Sequence, residues 1–326
     1  MKVAVTGANG HIGANLCRAL LEKGYSVKIL SYKDIRAVSG LNVENIVGNV
    51  LNRNSLRELI KDADVVFHLA VIISIEGDRS GELRKVNIEG TKNIIQVCSE
   101  FGSKRLIHFS SIHAFEQKPL DKELDESRPL VGDNAFHYDR SKANSERLVM
   151  QAAENGLDAV ILSPTAVLGP HDFKPSLMGL VLLNLYNRKF PGLIKGGYNW
   201  IDARDVALAS INAMEKATTG EKYLLAGRYL SIKDLGLLVE QITGSKAPTF
   251  ISPFWLAHIG VPFMTLYNKI ANKQSLFTYE SLKILENSNM FISNEKAKRE
   301  LNLNPRPLEV TIEDSINWFK QNGFIN

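Results

Sequence analysis

The stretch Thr6-Gly7-Ala8-Asn9-Gly10-His11-Ile12-Gly13 decides the fold, because it joins the apolar run Lys2-Val3-Ala4-Val5 to an amphipathic helical pattern. Between a strand and a helix, the first glycine permits a tight turn and the second lets the backbone approach a pyrophosphate. The third glycine allows the helix to pack closely on the strand. The helix N-terminus supplies N–H donors and a dipole that favours a phosphate. The stretch therefore predicts a dinucleotide-binding strand–turn–helix unit.

Apolar strand-like runs alternate with helical patterns over the first two-thirds of the chain, which is typical of an α/β protein with a parallel sheet. The predicted strands are Lys2–Thr6, Val27–Leu30, Ile46–Val47, Asp64–Leu69, Leu106–Phe109 and Ala159–Leu162. Two longer helices are predicted at Val86–Phe101 and Tyr138–Ala153. The pattern predicts a Rossmann-type, doubly wound parallel sheet.

Prolines and glycines interrupt the chain after Pro164. A helix at Asp205–Lys216 and a strand at Lys222–Leu225 are then predicted, and residues 231–326 are predicted to be mostly helical. We expect residues 1–163 to form the NAD(P)-binding domain, with 202–226 returning to it. Residues 164–201 and 227–326 are expected to form a smaller, mostly helical substrate-binding lobe.

Composition narrows the classes of function. The 326 residues are 44% hydrophobic and 23% charged, with a net charge of +4. Because cations and anions are interleaved, we expect no nucleic-acid partner. The two cysteines, Cys17 and Cys98, have no metal-ligand or disulfide spacing, so we expect no metal site and a reducing compartment. The apolar stretch 254–264 is too short to span a bilayer. The sequence thus predicts a cytoplasmic protein without an integral membrane segment.

The run Tyr138-Asp139-Arg140-Ser141-Lys142 places a phenol and an ammonium four residues apart on one helix face. The ammonium is expected to favour the phenolate and so to lower the pKa of the phenol. Such a phenol can exchange a proton with a carbonyl or alcohol oxygen. Combined with the glycine loop, this pair predicts a redox enzyme.

The end of the second strand reads Ser31-Tyr32-Lys33, with Arg36 close behind. An acid at this position would bind the ribose 2′-hydroxyl of NAD, but Asp34 lies further along the chain. A hydroxyl and two cations suit a 2′-phosphate better. We therefore predict NADP as the cofactor, with NAD as the alternative, and Asn49 as an adenine contact.

The chain resembles the extended short-chain dehydrogenase/reductase family, within the NAD-dependent epimerase/dehydratase superfamily, and most closely its dihydroflavonol-4-reductase-like branch. The resemblance rests on the glycine loop and on the runs Asp64–Ala70, Val86–Thr91, Phe109–Ser111, Tyr138…Lys142, Ser163–Pro170, Gly196–Ala207 and Asn294–Leu301. These runs cover most of the chain.

The resemblance implies that Tyr138 is the acid/base and that Lys142 binds the nicotinamide ribose. It implies that Ser111 orients the substrate oxygen, with Ser110 as the alternative one residue earlier. The dinucleotide contacts predicted from the motifs and the resemblance together are Thr6, Gly7, Asn9, Gly10, His11, Ile12, Gly13, Ser31, Tyr32, Lys33, Arg36, Asn49, Val50, Leu69, Ala70, Val71, Asn87, Ser110, Tyr138, Lys142, Pro164, Thr165 and Val167.

The chain departs from the sugar-nucleotide dehydratases of this superfamily at one point. Those enzymes carry an Asp-Glu pair directly after the catalytic hydroxyl, whereas this chain has Ile112-His113. The elimination chemistry therefore loses its acid and its base. We expect a small-molecule carbonyl or alcohol substrate, contacted by Ile73, His113, Phe136 and Phe173, with hydrogen bonding of His113 within the pocket wall as the alternative role for that residue.

Two other functions stay open on the sequence alone. A nucleotide-sugar epimerase uses the same tyrosine and lysine but needs arginines for a diphosphate, for which Arg188 and Arg204 are available. A non-enzymatic scaffold is the third possibility, although such relatives usually lose the tyrosine–lysine pair. The resemblance is compatible with a monomer or a homodimer.

Overall fold

The computed structural model describes residues 1–32, 34–102, 104–270 and 276–325. The strands are β1 (Lys2–Thr6), β2 (Ser26–Ser31), β3 (Val43–Val47), β4 (Val65–His68), β5 (Arg105–Phe109), β6 (Ala159–Pro164), β7 (Ala166–Leu168), β8 (Leu193–Ile194), β9 (Gly197–Asp202), β10 (Lys222–Leu225), β11 (Arg228–Ser231) and β12 (Ile251–Ser252). The α-helices are α1 (His11–Glu22), α2 (Arg53–Ile60), α3 (Glu82–Arg84), α4 (Gly90–Glu100), α5 (His137–Glu154), α6 (Leu177–Tyr186), α7 (Ala203–Lys216), α8 (Ile232–Thr243), α9 (Phe254–Ile270), α10 (Tyr279–Glu286), α11 (Glu295–Leu301) and α12 (Leu308–Gln321).

Within these residues, a seven-stranded sheet has the order β10-β6-β5-β4-β1-β2-β3, and all of its pairs are parallel. The chain runs outward from β1 to β3 on one side and then continues from β4 on the other. The strand order therefore reverses between β1 and β4, and ligands of such sheets bind beyond the carboxyl ends at this switch point. The predicted doubly wound sheet is confirmed.

Helices cover both faces of the sheet. On one face, Leu16 and Leu20 of α1 share a buried core with Val206 of α7. On the other face, Leu56 of α2 and Ile94 of α4 belong to a second buried cluster. Each helix buries one apolar stripe and leaves the other side to solvent, as its sequence period requires.

A further core lies in the C-terminal region, where Leu182, Trp200, Leu235, Ile312 and Phe319 are buried together. The helical C-terminal region is as predicted. Two small sheets, with orders β11-β9-β7 and β12-β8, are present that the sequence did not predict. Their strands have two to six residues, which is too short for a recognisable alternation of apolar and polar residues. The domain boundaries at residues 163, 202 and 226 remain a prediction.

The predicted helix Val86–Phe101 starts four residues earlier than expected. The carboxylate of Asp78 accepts hydrogen bonds from the backbone N–H groups of Leu83 and Arg84, at 3.0 and 2.9 Å, and so caps the earlier start. A wide turn over Lys85–Glu89 then connects α3 to α4. Such wide turns, with hydrogen bonds between residues five apart, are frequent at functional sites. Among the helices described, none combines the length and apolarity needed to cross a membrane.

Candidate active site

A cavity of about 1000 Å³ lies beyond the carboxyl ends of the central strands and extends toward the C-terminal core. It brings together most of the residues that the sequence analysis assigned to cofactor, catalysis or substrate. Those that line it are Gly7, Asn9, Gly10, His11, Ile12, Gly13, Tyr32, Asn49, Val50, Leu69, Ala70, Val71, Ile73, Ser110, Ser111, His113, Phe136, Tyr138, Lys142, Pro164, Thr165 and Val167.

The glycine loop at one end of this cavity fits a dinucleotide. Gly7 has a φ of +76°, and a Cβ there would lie 2.6 Å from the Ala70 nitrogen of the β4 loop. A Cβ on Gly13 would lie 2.2 Å from the Gly7 carbonyl oxygen. No side chain caps the N-terminus of α1, and its first turn holds no acid. Uncapped N–H groups at a helix N-terminus, reached over a loop without side chains, are the donors that a pyrophosphate requires.

Asn9, in the same loop, provides a second sign of a polar ligand. Its Oδ1 atom is buried and has no hydrogen-bond partner. Buried polar atoms are nearly always hydrogen-bonded in native proteins. An unpartnered amide oxygen beside the uncapped helix therefore fits a loop that completes its hydrogen bonds with a ligand.

Two predicted cofactor residues lie behind the cavity wall. Thr6 is fully buried, and its Oγ1 accepts a hydrogen bond from the Ala70 backbone N–H at 3.3 Å. Asn87 sits in the wide turn, where its side chain exchanges hydrogen bonds of 2.8 and 3.0 Å with the backbone of Ile72. Both residues thus fix the loop after β4 from behind, which positions the part of that loop that faces the cavity.

The residues predicted to bind the 2′-phosphate of NADP are only partly brought together in the structure. Tyr32 lines the cavity, while Ser31 is buried at the end of β2. Arg36 is exposed and pairs with Asp34 through its Nη2 at 2.7 Å, so its charge is already partnered in the free chain. That pairing holds the pKa of Asp34 down at about 2. Lys33 lies outside the described residues.

The structure places Phe173 outside the cavity wall, contrary to its prediction as a substrate contact. Its ring packs against that of Trp318, with centroids 4.8 Å apart, and the guanidinium of Arg18 lies over it. Phe115 is likewise fully buried, in a separate cluster. Their apolar character is satisfied by packing, which a sequence cannot distinguish from lining a pocket.

Tyr138 and Lys142 lie one turn apart near the start of α5, and both are buried. The Lys142 Nζ donates a hydrogen bond to the carbonyl oxygen of Phe109 at the end of β5. Ser111 follows β5, and its Oγ accepts a hydrogen bond from the His113 N–H at 3.2 Å. The carboxyl edge of β5 and the first turn of α5 therefore bring the serine, tyrosine and lysine together.

The expected effect of Lys142 on Tyr138 is not present in the free chain. Burial raises the pKa of Tyr138 to about 12, while hydrogen bonding with Ser111 opposes that rise. Burial also lowers the pKa of Lys142 to about 8, which the nearby Glu146 carboxylate counteracts. Desolvation outweighs the attraction between ammonium and phenolate in this site. The phenol is therefore protonated at neutral pH and ready to donate a proton.

Glu146 is a site residue that the sequence analysis missed. It is fully buried one turn beyond Lys142, and its Oε2 accepts a hydrogen bond of 2.5 Å from the Ser110 hydroxyl. The spacing of four residues from Tyr138 to Lys142 and again to Glu146 was the available signal. Because the Ser110 hydroxyl is hydrogen-bonded to Glu146, Ser111 is the serine that can act together with Tyr138.

Asp139, which lines the cavity, and the buried Glu280 are two acids that were also not predicted. Both carboxylates have a buried oxygen without a hydrogen-bond partner. Burial raises the pKa of Asp139 to about 7, and burial together with the charge of Asp139 raises that of Glu280 to about 7. The Nδ1 of His113 lies 3.7 Å from Asp139 Oδ1, and burial lowers the pKa of His113 to about 4. The cavity thus has a polar end beside Tyr138.

Asp139→Asn is expected to raise the unfolding temperature more at about pH 8 than at about pH 5. In the unfolded chain the carboxyl ionises near its ordinary pKa of 3.8, but in the folded chain it ionises near 7. The free energy of unfolding therefore decreases as the pH rises from about 4 to 7, and the full loss is present above that range. Removing the charge should give a gain of about 2–5 °C at the higher pH.

Thermal unfolding of the variant and the parent chain at both pH values measures this effect. Asp133→Asn serves as the control, since Asp133 is an exposed acid a few residues before α5. A shift in unfolding temperature that is equal at both pH values contradicts the elevated pKa of Asp139.

Comparisons with known proteins agree with this geometry. Residues 3–226 match the model of the NAD dependent epimerase/dehydratase family. The chain is 33% identical to sterol demethylase protein B of Methylococcus capsulatus, over all of both chains. It is 30% identical to a putative dihydroflavonol 4-reductase of Synechocystis sp., over 98% of this chain and 95% of that protein.

Solved structures show the same fold. The crystal structure of gox2253 superposes with a TM-score of 0.86 at 29% identity, covering 100% of this chain and 99% of that one. PA4631 from Pseudomonas aeruginosa, described as a nucleoside-diphosphate-sugar epimerase, superposes with a TM-score of 0.81 at 24% identity, covering 100% and 99% of the two chains. The chain belongs to the NAD dependent epimerase/dehydratase family, and it is therefore a nicotinamide-dinucleotide-dependent enzyme of the short-chain dehydrogenase/reductase type that acts on CH–OH groups.

Proposed function

We propose that the protein is an NADP-dependent oxidoreductase that reduces a bulky, apolar aldehyde or ketone, or oxidises the matching alcohol. The observation that carries this proposal is the apolar wall of the cavity beyond Tyr138 and Ser111. Side chains from several elements form that wall, including Ile73, Phe136, Met178, Val181, Phe190, Leu193, Tyr198 and Phe277. Such a surface stabilises a substrate by removing its apolar area from water.

The roles of the chain's own residues follow from their positions. The bound dinucleotide supplies the hydride chemistry. In the reductive direction the Tyr138 hydroxyl gives its proton to the substrate oxygen as the carbonyl carbon gains a hydride. The Ser111 hydroxyl donates a hydrogen bond to the same oxygen and stabilises the developing charge. The Lys142 ammonium, held by Phe109, lies within one helix turn of the tyrosine that must regain a proton.

Relatives support chemistry on bulky apolar compounds. Sterol demethylase protein B and the putative dihydroflavonol 4-reductase both match nearly the whole chain. A decarboxylating sterol-4-alpha-carboxylate 3-dehydrogenase of Mus musculus is 26% identical over 97% of this chain. The names of these proteins refer to sterols and to a dihydroflavonol, which are bulky compounds that an apolar cavity would accommodate.

The residues of the site give less support to the alternative function, a nucleotide-sugar epimerase. A nucleotide diphosphate needs cations that are free to bind it, and among the described lining residues the cations are Lys142, Lys174 and Lys283. Arg204 pairs with Asp202 at 2.7 Å and with Asp314 at 2.6 Å. Arg188 lies outside the cavity lining, and its Nη2 is 3.5 Å from the Gly244 carbonyl oxygen. Neither arginine is placed for a diphosphate.

A substrate panel with the purified enzyme tests this function. The oxidation of NADPH should be fastest with fused-ring ketones and slow with short aldehydes, while UDP-glucose should neither bind nor be converted. Epimerisation of a UDP-sugar without net NADPH oxidation would overturn the proposal. Dinucleotide binding without turnover on any substrate would favour the scaffold.

The preference for NADP over NAD leads to a separate prediction. Arg36→Ala is expected to weaken NADPH binding about fivefold or more and to leave NADH binding unchanged, because a guanidinium binds a 2′-phosphate with charge-assisted hydrogen bonds. Fluorescence titration with both dinucleotides measures the two affinities. Arg57→Ala is the matched control, since Arg57 is also an exposed arginine paired with an acid, Glu100, at 2.8 Å. An equal loss for both dinucleotides would contradict a role for Arg36 at the 2′-phosphate.

A further inference from the structure

Helix α9 presents a row of large apolar side chains to solvent. Trp255, Ile259 and Phe263 are 65%, 58% and 73% exposed, and their spacing of four residues puts them on one face. We call these three residues the α9 face. Phe250, shortly before the helix, is 55% exposed as well. Contiguous exposed apolar patches on proteins mark sites of contact with a partner or a lipid surface.

Packing of the opposite side of α9 holds the α9 face toward solvent. Phe254, Ala257 and Val261 pack against the C-terminal core. The exposure of the α9 face is therefore not a result of a detached helix. Its apolar side chains are held away from the core by the packing of their neighbours.

The charge of the stretch that contains α9 indicates what the α9 face contacts, since Glu286 of α10, which lies 3.8 Å from His258, is paired with Lys283 at 2.8 Å. Residues 241–270 contain no Asp or Glu, although the chain has 35 acidic residues, and they contain Lys246 and Lys269. Lys246 is exposed. Two copies of this chain that met through α9 would bring like charges together. An anionic surface would instead be attracted by exposed lysines such as Lys246.

We propose that the α9 face docks peripherally on an anionic lipid bilayer, with Trp255, Ile259 and Phe263 inserted at the level of the headgroups. Helices that lie in the interface carry aromatic and aliphatic residues on one face and basic residues around it. Tryptophan in particular favours the boundary between headgroups and acyl chains. Shallow insertion of one helix face requires no spanning segment.

The docking surface adjoins the wall of the cavity. The ring of His258 in α9 lies 5.4 Å from that of Tyr279 in α10, measured between centroids. Leu282 and Leu285 of α10 line the cavity. Neighbouring helices thus face the lipid and the substrate site, so an apolar substrate dissolved in the bilayer has a short route to the cavity. This role in substrate delivery rests on the proposed function, whereas the docking itself does not.

Vesicle binding tests the docking without any enzymatic assay. Trp200 and Trp318 are 1% and 8% exposed, so Trp255 is the exposed member of the three tryptophans. Vesicles of phosphatidylcholine with phosphatidylglycerol should shift the tryptophan emission to shorter wavelength and sediment the full-length protein. Vesicles of phosphatidylcholine alone, or high salt, should reduce both effects.

The double variant Ile259→Ser/Phe263→Ser is expected to lower vesicle partitioning about tenfold or more, since it removes two apolar side chains from the interface. The double variant Leu208→Ser/Val310→Ser is the matched control, because these residues are 43% and 42% exposed on α7 and α12. Thermal unfolding checks that both variants fold.

Three outcomes overturn the proposal. One is that anionic vesicles cause neither sedimentation nor an emission shift. Another is that the α9 variant binds vesicles as tightly as the parent chain. The last is a concentration-dependent dimer, lost in the α9 variant and formed without vesicle binding, which would assign the α9 face to a second copy. If the protein binds vesicles but fails the substrate panel, the docking stands and the proposed function falls.

Discussion

Tyr138→Phe is expected to lower kcat for carbonyl reduction about 10³-fold, because it removes the proton donor and leaves the rest of the site in place. The pKa of about 12 keeps this phenol protonated at neutral pH, so the reductive direction needs no prior proton uptake. Phenylalanine fills nearly the same volume in the buried first turn of α5, so the fold should tolerate the change. Initial rates and a dinucleotide titration together test the role, since binding should survive while turnover is lost.

Tyr198→Phe is the matched control for this variant. Tyr198 lines the same cavity, and burial raises its pKa to about 12 as well. Its ring packs against that of Trp200. Loss of this hydroxyl leaves the proton donor in place, so kcat should fall far less than in Tyr138→Phe. Substantial activity in Tyr138→Phe would contradict the assignment and direct attention to His113 as the proton donor.

Gly13→Ala is expected to abolish dinucleotide binding and to destabilise the fold. A Cβ at this position would lie 2.2 Å from the Gly7 carbonyl oxygen and 2.8 Å from the Ala8 Cα, and both of these atoms belong to the backbone. Backbone atoms cannot rotate aside, so the loop and the start of α1 must separate. Overpacking of this kind costs about 1–3 kcal/mol or more. The displaced loop would also lose its close approach to the pyrophosphate.

Thermal unfolding and a fluorescence titration with NADPH measure the two effects of Gly13→Ala. Gly132→Ala is the control, because a Cβ at Gly132 meets no atom within 4 Å and its φ is not left-handed. That variant should keep both its unfolding temperature and its affinity for the dinucleotide. Unchanged binding in Gly13→Ala would contradict the fit of the loop to a pyrophosphate.

The sequence by itself was sufficient for the sheet and for the edge that carries the site. The predicted strands of the central sheet are present, and all of them except β3 are buried apolar runs that are visible without coordinates. The glycine loop was recognisable for a similar reason, since only glycine satisfies the contacts of Gly7 and Gly13. Tyr138 and Lys142 were found because their relation is local, across one turn of α5.

Contacts between segments that are distant in the chain were decided by the tertiary structure alone. Glu280 approaches Asp139 across more than a hundred residues, and no local pattern reveals that both carboxyls are buried. Phe173 turned out to pack on Trp318, because an apolar residue serves a core and a pocket wall equally well in sequence. The pKa of Tyr138 was expected to be low but is high, since desolvation depends on what surrounds the ring. Burial arises from the whole fold, whereas spacing along a helix is already present in the chain.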